Sequence, residues 1–589
     1  MVRHTGAMHV AKVVRKQRLA SGETREYVSH LLRRTFRDGG KVRHQTLANL
    51  SALPDEVIEL VRASLKGDAF VPAASGGVSV ARSLPHGHVA AISAMADTLG
   101  LAALLGPPCR DRDLALALVI SRVVRPGTKL ATARGWSDTT LGVDFGVADA
   151  STDEVYAAMD WLLARQDSIE ATLAARHLGP AVNPTRMALF DLSSSWMTGR
   201  CCPLAKRGYS RDGKKGLPQI EYGLLTDPAG RPVAVRVFDG NTADPAAFIT
   251  AVDVVRTRFG LTEMVMVGDR GMITAARIEA VKQLGGMGWL TCLRNPAIAK
   301  LAADDGPLQM TLFDQVNLAE IAHPDYPGER LIACRNPLLA TERARKRAEL
   351  LTATETLLAP VRAAVADGRL AGADTIGLKV GRLIDKYKMA KHFQLSITDT
   401  TLTITGKQAQ IDAEAALDGI YVIRTNVPAT DLDPAAAVGA YKNLAHVERN
   451  FRVMKADDLD LRPIHHHLED RVRAHVLICT LAAYLIWHLR KAWAPLTYTD
   501  EHPPTRTDPV APARRSPAAD RKAAHKTATG NPDQPLHTFR GLLEHLATLT
   551  RNDLRYTEHL PTVPTLTIPT PTQQQAFDLI GATIPTTLK

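Results

Sequence analysis

The chain has 589 residues, 45% of them hydrophobic, which is enough for sizeable cores and, by length alone, for about four folding units. Its formal charge of +11 and pI near 9.3 favour a polyanionic partner, although many basic proteins never meet nucleic acid. The six cysteines form no CxxC pair, which argues against a zinc knuckle or a disulfide scaffold and fits a reducing, cytoplasmic setting.

The first residues, MVRHTGAMHVAKVVRKQ, carry no apolar core of signal-peptide length. Residues 1–70 contain a hairpin candidate, YVSHLLRRTFRDGGKVRHQTL, with its turn at Asp38-Gly39-Gly40. Arg33, Arg34, Arg37, Lys41, Arg43 and His44 cluster around that turn, with Phe36 among them. The cluster reads equally as a solvated charged hairpin or as a DNA contact. Residues 80–180 are Ala/Leu-rich and predict a helical domain, with turns at Gly106-Pro107-Pro108 and Pro126-Gly127, suited to packing or to DNA binding.

From 185 the pattern turns to strands. RMALFDLSSSW is followed by IEYGLLTDPAGRPVAVRVFDGN, whose turn at Asp227-Pro228-Ala229-Gly230 makes the last two of three strands a hairpin. Helix and strand then alternate through PAAFITAVDVVRTRF, MVMV, AARIEAVKQL and GWLTCL, which suits a mixed sheet in an α/β layer over 185–296. Residues 297–436 predict a β-rich insertion domain that also carries a charged helix, and 437–494 a functional helix and the end of the core. The apolar run from Ala474 spans about sixteen residues, short for a bilayer and better read as a buried helix. Residues 495–535 hold eight prolines and predict a flexible linker, and 536–589 predict a helical tail. No internal repeat is visible.

Three acidic residues stand in distinct contexts. Asp191 interrupts an apolar strand, where an unpaired charge is costly. Asp269 follows MVMV, a place that also suits a turn or cap, and Glu448 has Arg452 one turn on, where a surface ion pair is the ordinary reading. In YKNLAHVERNFRVMK, Tyr441, Glu448 and Lys455 are spaced by seven and so share one helix face. Leu444, Val447, Phe451 and Met454 form a neighbouring apolar stripe. Two strand carboxylates and one helix carboxylate suit a pair of Mg²⁺ ions set against a phosphodiester, since Mg²⁺ takes oxygen ligands. His465, His466, His467 and His475 read as solvent- or DNA-facing rather than as metal ligands, and Ser193–Ser195 as no nucleophile elbow.

These residues resemble the DDE class of insertion-sequence transposases, more narrowly the bacterial insertion-sequence-four type with its Tyr-Arg-Glu-Lys motif. The blocks that carry the likeness are GYSRDGKKGLPQIEYGLL…GRPVAVRVFDGNTAD from Gly208 to Asp244, VGDRGM at 267–272, and DGIYVIRTN with YKNLAHVERNFRVMK. The resemblance implies an α/β, ribonuclease-H-like mixed-sheet catalytic core with a β-rich insertion and a mainly helical N-terminal domain. It implies that Asp191, Asp269 and Glu448 bind two Mg²⁺ ions, with Mn²⁺ as a substitute, and that Tyr441 and Lys455 contact DNA backbone. Leu444 occupies the motif's Arg position, leaving Arg452 or Arg449 to compensate.

The implied activity is cleavage at the ends of a mobile element, followed by attack of the freed 3′-hydroxyl on target DNA. The expected partners are double-stranded terminal repeats and target DNA, bound by a homodimer in the cytoplasm without a membrane. The alternatives are a catalytically inactive or repurposed DNA-binding copy, and a metal-dependent nuclease that cuts without joining.

Overall fold

A computed structural model describes residues 7–18, 24–38, 40–67, 78–199, 201–303, 306–314, 316–504, 508–528, 531–556 and 561–588. The chain divides into two compact units, residues 1–83 with 552–565, and residues 84–551 with 566–589.

In the first unit β1 (Met8–Arg18), β2 (Thr24–Asp38) and β3 (Lys41–Asn49) form an antiparallel sheet in that order. The expected hairpin is β2–β3: Asp38 pairs with Lys41, leaving a two-residue turn in which Gly40 has φ +79°, a value glycine adopts without a Cβ penalty. Gly39 of that turn lies outside the described residues. Strand β1 is an addition to the expected hairpin, and α1 (Asp55–Leu65) packs on it, burying Ile58. A second three-stranded sheet joins β4 (Ser79–Pro85) to Thr550–Arg555 and that strand to Val563–Leu566.

The second unit opens with the expected helices: α2 (Gly87–Thr98), α3 (Leu101–Leu105), α4 (Arg110–Val124), α5 (Lys129–Arg134), α6 (Thr140–Asp144), α7 (Thr152–Leu163) and α8 (Gln166–His177). Ser151 and Glu154 start α7 with a reciprocal capping box. These helices share one hydrophobic core with the sheet that follows.

That sheet has eight strands. In chain order they are β5 (Met187–Trp196), β6 (Gln219–Thr226), β7 (Pro232–Asp239), β8 (Val265–Val267), β9 (Gly288–Cys292), β10 (Leu318–Ile321), β11 (Arg330–Arg335) and, after the insertion, β14 (Ile420–Thr425). Their spatial order is β10-β11-β14-β9-β8-β5-β6-β7. β6 runs antiparallel to both β5 and β7, as the hairpin pattern predicts for β6 and β7. β8 runs parallel to both β5 and β9, because α9 (Asp244–Asp253) and α10 (Ala275–Leu284) serve as crossovers.

The segment 297–436 departs from its β-rich expectation. Strands β10, β11 and β14 extend the main sheet, while α11 (Asn295–Leu301), α12 (Pro337–Ala366), α13 (Ala373–Ile384) and α14 (Gln408–Ala415) make it mostly helical. Among the described residues, only the hairpin β12 (Phe393–Ile397) and β13 (Leu402–Gly406) is β-structure of its own. It packs with α12 and α13 around a small separate core that includes Leu358, Ile376, Val380 and Phe393.

α15 (Pro434–Lys442) and α16 (Leu444–Arg452) follow, then α17 (Glu469–Ala492). α17 is long and apolar enough to cross a membrane but is mostly buried in the core, as read from its sequence. The expected flexible linker is instead an ordered strap over its described residues. Val510 is fully buried, α18 (Pro517–His525) is capped by Ser516, and Lys522 donates to the carbonyls of Ala494 and Thr499. Alanines and a ring of specific hydrogen bonds offset its proline content. The tail is mixed rather than purely helical: α19 (Phe539–Ala547) and α20 (Pro571–Leu579) flank the two strands named above.

Lys442, at the end of α15, donates to the carbonyls of Pro509, Val510 and Ala511 at 2.7–2.9 Å, clamping the strap beside α16. Replacing it by Met leaves those acceptors without a charged donor. Lys442→Met is therefore expected to cost about 2–4 kcal/mol in denaturant unfolding and to speed proteolysis between 508 and 516. Unchanged cleavage there would mean that the strap is held by other contacts.

Candidate active site

The parallel pairing of β5 and β8 brings two carboxylates level with each other. Leu189 is in register with Val267, the last residue of β8; Asp191 lies two residues on within β5, and Asp269 lies two residues on in the turn that follows β8. Adjacent strands run roughly 5 Å apart. Asp191 shares a sheet face with Ser193 and Ser195, because strand side chains alternate. That face meets α16: Ser195 Oγ lies 3.0 Å from the Tyr222 hydroxyl, and Tyr222 packs edge-on against Phe451. Glu448 comes from α16, which packs on β5 and β6, interior strands of the sheet.

α16 is held in place by its neighbours. Leu444, Val447, Phe451 and Met454 are all buried, the predicted stripe. Leu444 therefore works as a packing residue at the motif's Arg position. Asn450 donates to the Gly230 carbonyl at 2.7 Å, and His446 covers Gly230 so closely that a Cβ there would stand 2.5 Å from the His446 Cβ. Gly230 closes the β6–β7 turn with φ +84°, and Asp227 stitches that turn by accepting from the amides of Ala229 and Arg231.

Asp191 lies within electrostatic reach of both other carboxylates. Burial pushes the Asp191 carboxyl up to about 7, and the charges of Asp269 and Glu448 push in the same direction. The Leu192 amide, 2.8 Å from Oδ1, and the Arg211 guanidinium oppose that shift without cancelling it. Asp269 and Glu448 are exposed. Asp269 does act as a turn residue, since its Oδ1 accepts from the amides of Gly271 (2.6 Å) and Met272 (3.0 Å). Its second oxygen takes no part in that turn. Among the described residues Glu448 makes no ion pair with Arg452, which is exposed.

The donor set is all carboxylate oxygen with an excess of negative charge, which is the chemistry a hard divalent ion requires. Among the described residues no three His, Cys, Asp or Glu side chains already converge on a single ion. The field of Asp269 and Glu448 at Asp191 is one that a divalent cation would offset.

A supporting set of charges did not stand out from the sequence. Arg211 pairs with Asp244 at 2.6 Å and with Glu221 at 3.3 Å. Asp244 lies beside Asp269, both carboxyls facing the space above Gly271. Glu221 is 2% exposed, and burial holds its carboxyl up to about 7 in spite of Arg211. The signal was available: Glu221 interrupts the apolar run IEYGLL just as Asp191 interrupts its own strand.

The other expected site residues divide. Tyr441 is half-buried, hydrogen-bonded to Cys292 and within the field of Asp269 and Arg270; burial raises its hydroxyl above the ordinary range. Lys455 departs from expectation. It is 8% exposed and donates to Asp212 Oδ1 at 2.9 Å, so it is spent on a protein carboxylate and not presented to a phosphate. The physical reason is a change of helix type: a π-turn at Val453–Asp457 breaks the seven-residue spacing and swings Lys455 inward. Asp212 also pairs with Arg462 and accepts from the Trp196 amide. Arg33, Arg34, Arg37, Lys41 and Arg43 belong to the first unit. Strand alternation puts Arg33 and Arg37 on one face of its sheet and Arg34, with Arg43 across from Phe36, on the other.

Residues 193–486 match the family model of the Transposase DDE domain, and residues 13–72 match that of the IS1634 family transposase, N-terminal domain. The first match begins two residues beyond Asp191 and encloses Asp269 and Glu448; the second spans most of the β1–β3 sheet and α1. No curated protein matches the chain at a significant level.

Gly230→Ala adds a Cβ against His446 in a left-handed turn position. It is expected to cost about 2–4 kcal/mol, read by denaturant unfolding, and to lower activity by displacing the Glu448 helix. Arg211→Met tests the supporting charges. Glu221 binds its proton more tightly folded than unfolded, so its ionisation costs stability as pH rises. Loss of Arg211 moves that proton affinity higher still. The variant is expected to lose about 2–3 kcal/mol at pH 8 and clearly less at pH 5.5; an equal loss at both would remove Glu221 from the account.

Proposed function

The chain is a DDE transposase of an insertion-sequence family, and from that premise we propose that it binds the ends of a mobile DNA element, cleaves them, and joins the freed 3′-hydroxyls to target DNA. The observation that supports this reading is that buried Asp191, on an interior strand, lies in the field of both Asp269 and Glu448. The strand order β7-β6-β5-β8-β9, three antiparallel strands followed by two parallel ones, supports a ribonuclease-H-like core.

DDE transposases in general use divalent metal ions. In this chain Asp191, Asp269 and Glu448 would hold them, with Mg²⁺ the expected pair and Mn²⁺ a substitute. When bound, the ions offset the charge that builds on a phosphodiester as it exchanges one oxygen for another. The protein's own part is positional. Asp191 sits on a rigid interior strand, Glu448 on a helix locked by Asn450 and Gly230, and Arg211 keeps Glu221 and Asp244 compensated beside them. Exposed Arg452 and Arg449 lie next to Glu448, placed to receive backbone phosphates, and Tyr441 is near Asp269. The basic N-terminal hairpin supplies further phosphate contacts, so binding is steeply salt-dependent. Joining two ends in one complex calls for a homodimer on DNA.

The burial of Leu444 within the packing stripe speaks against reading it as the scar of an inactivated copy. The test is Mg²⁺-dependent cleavage and strand transfer on terminal DNA by wild type, Asp191→Ala, Asp269→Ala and Glu448→Ala. Each variant is expected to bind DNA normally and to lose at least about a thousandfold in rate, in keeping with removal of a principal charge-stabilising group. Cleavage surviving any one substitution would remove that residue from the triad. Cleavage by wild type without joining would make the protein a nuclease only.

A further inference from the structure

Away from the carboxylates, the second unit contains a pocket of about 320 Å³ whose charge is of the opposite sign. It opens between α4, α5 and α7 and the segment 460–466. Arg122 and Lys129 contribute to its wall, and each is only 5% exposed. Among the described residues neither has a carboxylate within ion-pair distance. Arg122 donates to the Leu459 carbonyl at 3.3 Å and to His475 Nδ1 at 3.3 Å, and Lys129 donates to the same His475 Nδ1 at 3.1 Å. His475 spends its Nε2 proton on the Leu461 carbonyl, 3.2 Å away. Its Nδ1 therefore offers one lone pair to two buried cations, and one lone pair cannot satisfy both.

The rest of the lining adds donors and little compensation. Arg462 stands at the wall and gives its charge to Asp212, and His466 faces His475 with ring centroids 5.3 Å apart. The one acid of the lining is Asp460, which is exposed and makes no ion pair with either buried cation among the described residues. Burial and the neighbouring Arg122 charge lower the Lys129 ammonium to about 7. Without a counter-charge Lys129 gives up its proton readily, and an anion in the pocket would restore the ammonium and compensate Arg122 as well.

We propose that this pocket binds a phosphate group, and that in this protein the phosphate is the terminal monoester of a DNA strand. Planar Arg and point-charge Lys together are suited to phosphate. The volume accepts one phosphate with its sugar and excludes a continuous duplex, which favours a strand end over a backbone phosphate. Ile464, beside the pocket, pairs with Met197, six residues along from Asp191, so the pocket lies on the order of 20 Å from the carboxylates and takes a strand end set back from the reacting phosphodiester. The anion site stands on the pocket's own geometry; the strand end as its source rests on the transposase reading.

Thermal unfolding of the full chain in potassium phosphate, against chloride at equal ionic strength, tests the anion site. Wild type is expected to gain a few degrees in Tm at saturating phosphate. Lys129→Met should lose that gain, and so should Leu130→Glu, a substitution of an exposed residue of the lining that leaves the core intact. No phosphate-specific gain in wild type, or an equal gain in both variants, would overturn the proposal. This readout involves neither cleavage nor Asp191, so it succeeds or fails independently of the transposition assay. Anisotropy with labelled duplexes then identifies the source. A preference of about tenfold for a 5′-phosphate over a 5′-hydroxyl end, abolished by Leu130→Glu, supports the strand end. Equal affinity for both ends overturns that source even where inorganic phosphate binds.

Discussion

The constraint on which the rest depends is a register. β5 and β8 run parallel with Leu189 opposite Val267, and that pairing brings the turn that carries Asp269 to the strand that carries Asp191. These two like charges, with Glu448 added from α16, repel one another at a half-buried site, and the protein leaves that repulsion largely standing. A carboxylate in an apolar strand is an expensive residue to keep. Arg211 is the cation that opposes the shift at Asp191, and it does not cancel it.

The supporting structure keeps that repulsion from being relieved by movement. Arg211 is drawn away from Asp191 by Glu221 and Asp244, so it softens the field without quenching it. Asp212, the next residue, anchors Lys455, Arg462 and the amide of Trp196. The loop 211–212 is thereby tied to β5, to the π-turn after α16 and to the 462–466 segment at once. On the other side, Asn450 and His446 grip Gly230, and Lys442 grips the strap. The helix that carries Glu448 is consequently braced at its start, its middle and its end.

Much of this was legible in the sequence because it is local. The alternation around Asp191, the MVMV strand before Asp269 and the apolar stripe from Leu444 to Met454 each predict an element, and each element forms. What the sequence hid was non-local or irregular. Lys455 turns inward because a π-turn interrupts a heptad spacing, and no periodicity announces such a turn. The strap reads as disordered from its prolines, yet Lys442, 66 or more residues earlier, supplies the donors that order it. The insertion reads as β-rich from FQLSITDTTLTIT, whereas its other strands leave to join the main sheet and the remainder is helix. Glu221 carries the same signal as Asp191, a charge within an apolar strand, and its partner Arg211 lies in a loop where arginine is unremarked.

The unit therefore holds two unresolved charge clusters of opposite sign within one continuous core: carboxylates on β5 and just beyond β8, and Arg122 with Lys129 under His475. Neither can neutralise the other, because the strand between them is rigid and spans on the order of 20 Å. On the proposed reading the first takes divalent cations and the second a phosphate. Each imbalance would then be relieved by its own ligand. Stability of this unit is then coupled to occupancy from two directions, and a substitution that relieved either imbalance internally would make the empty protein firmer while weakening its hold on the substrate.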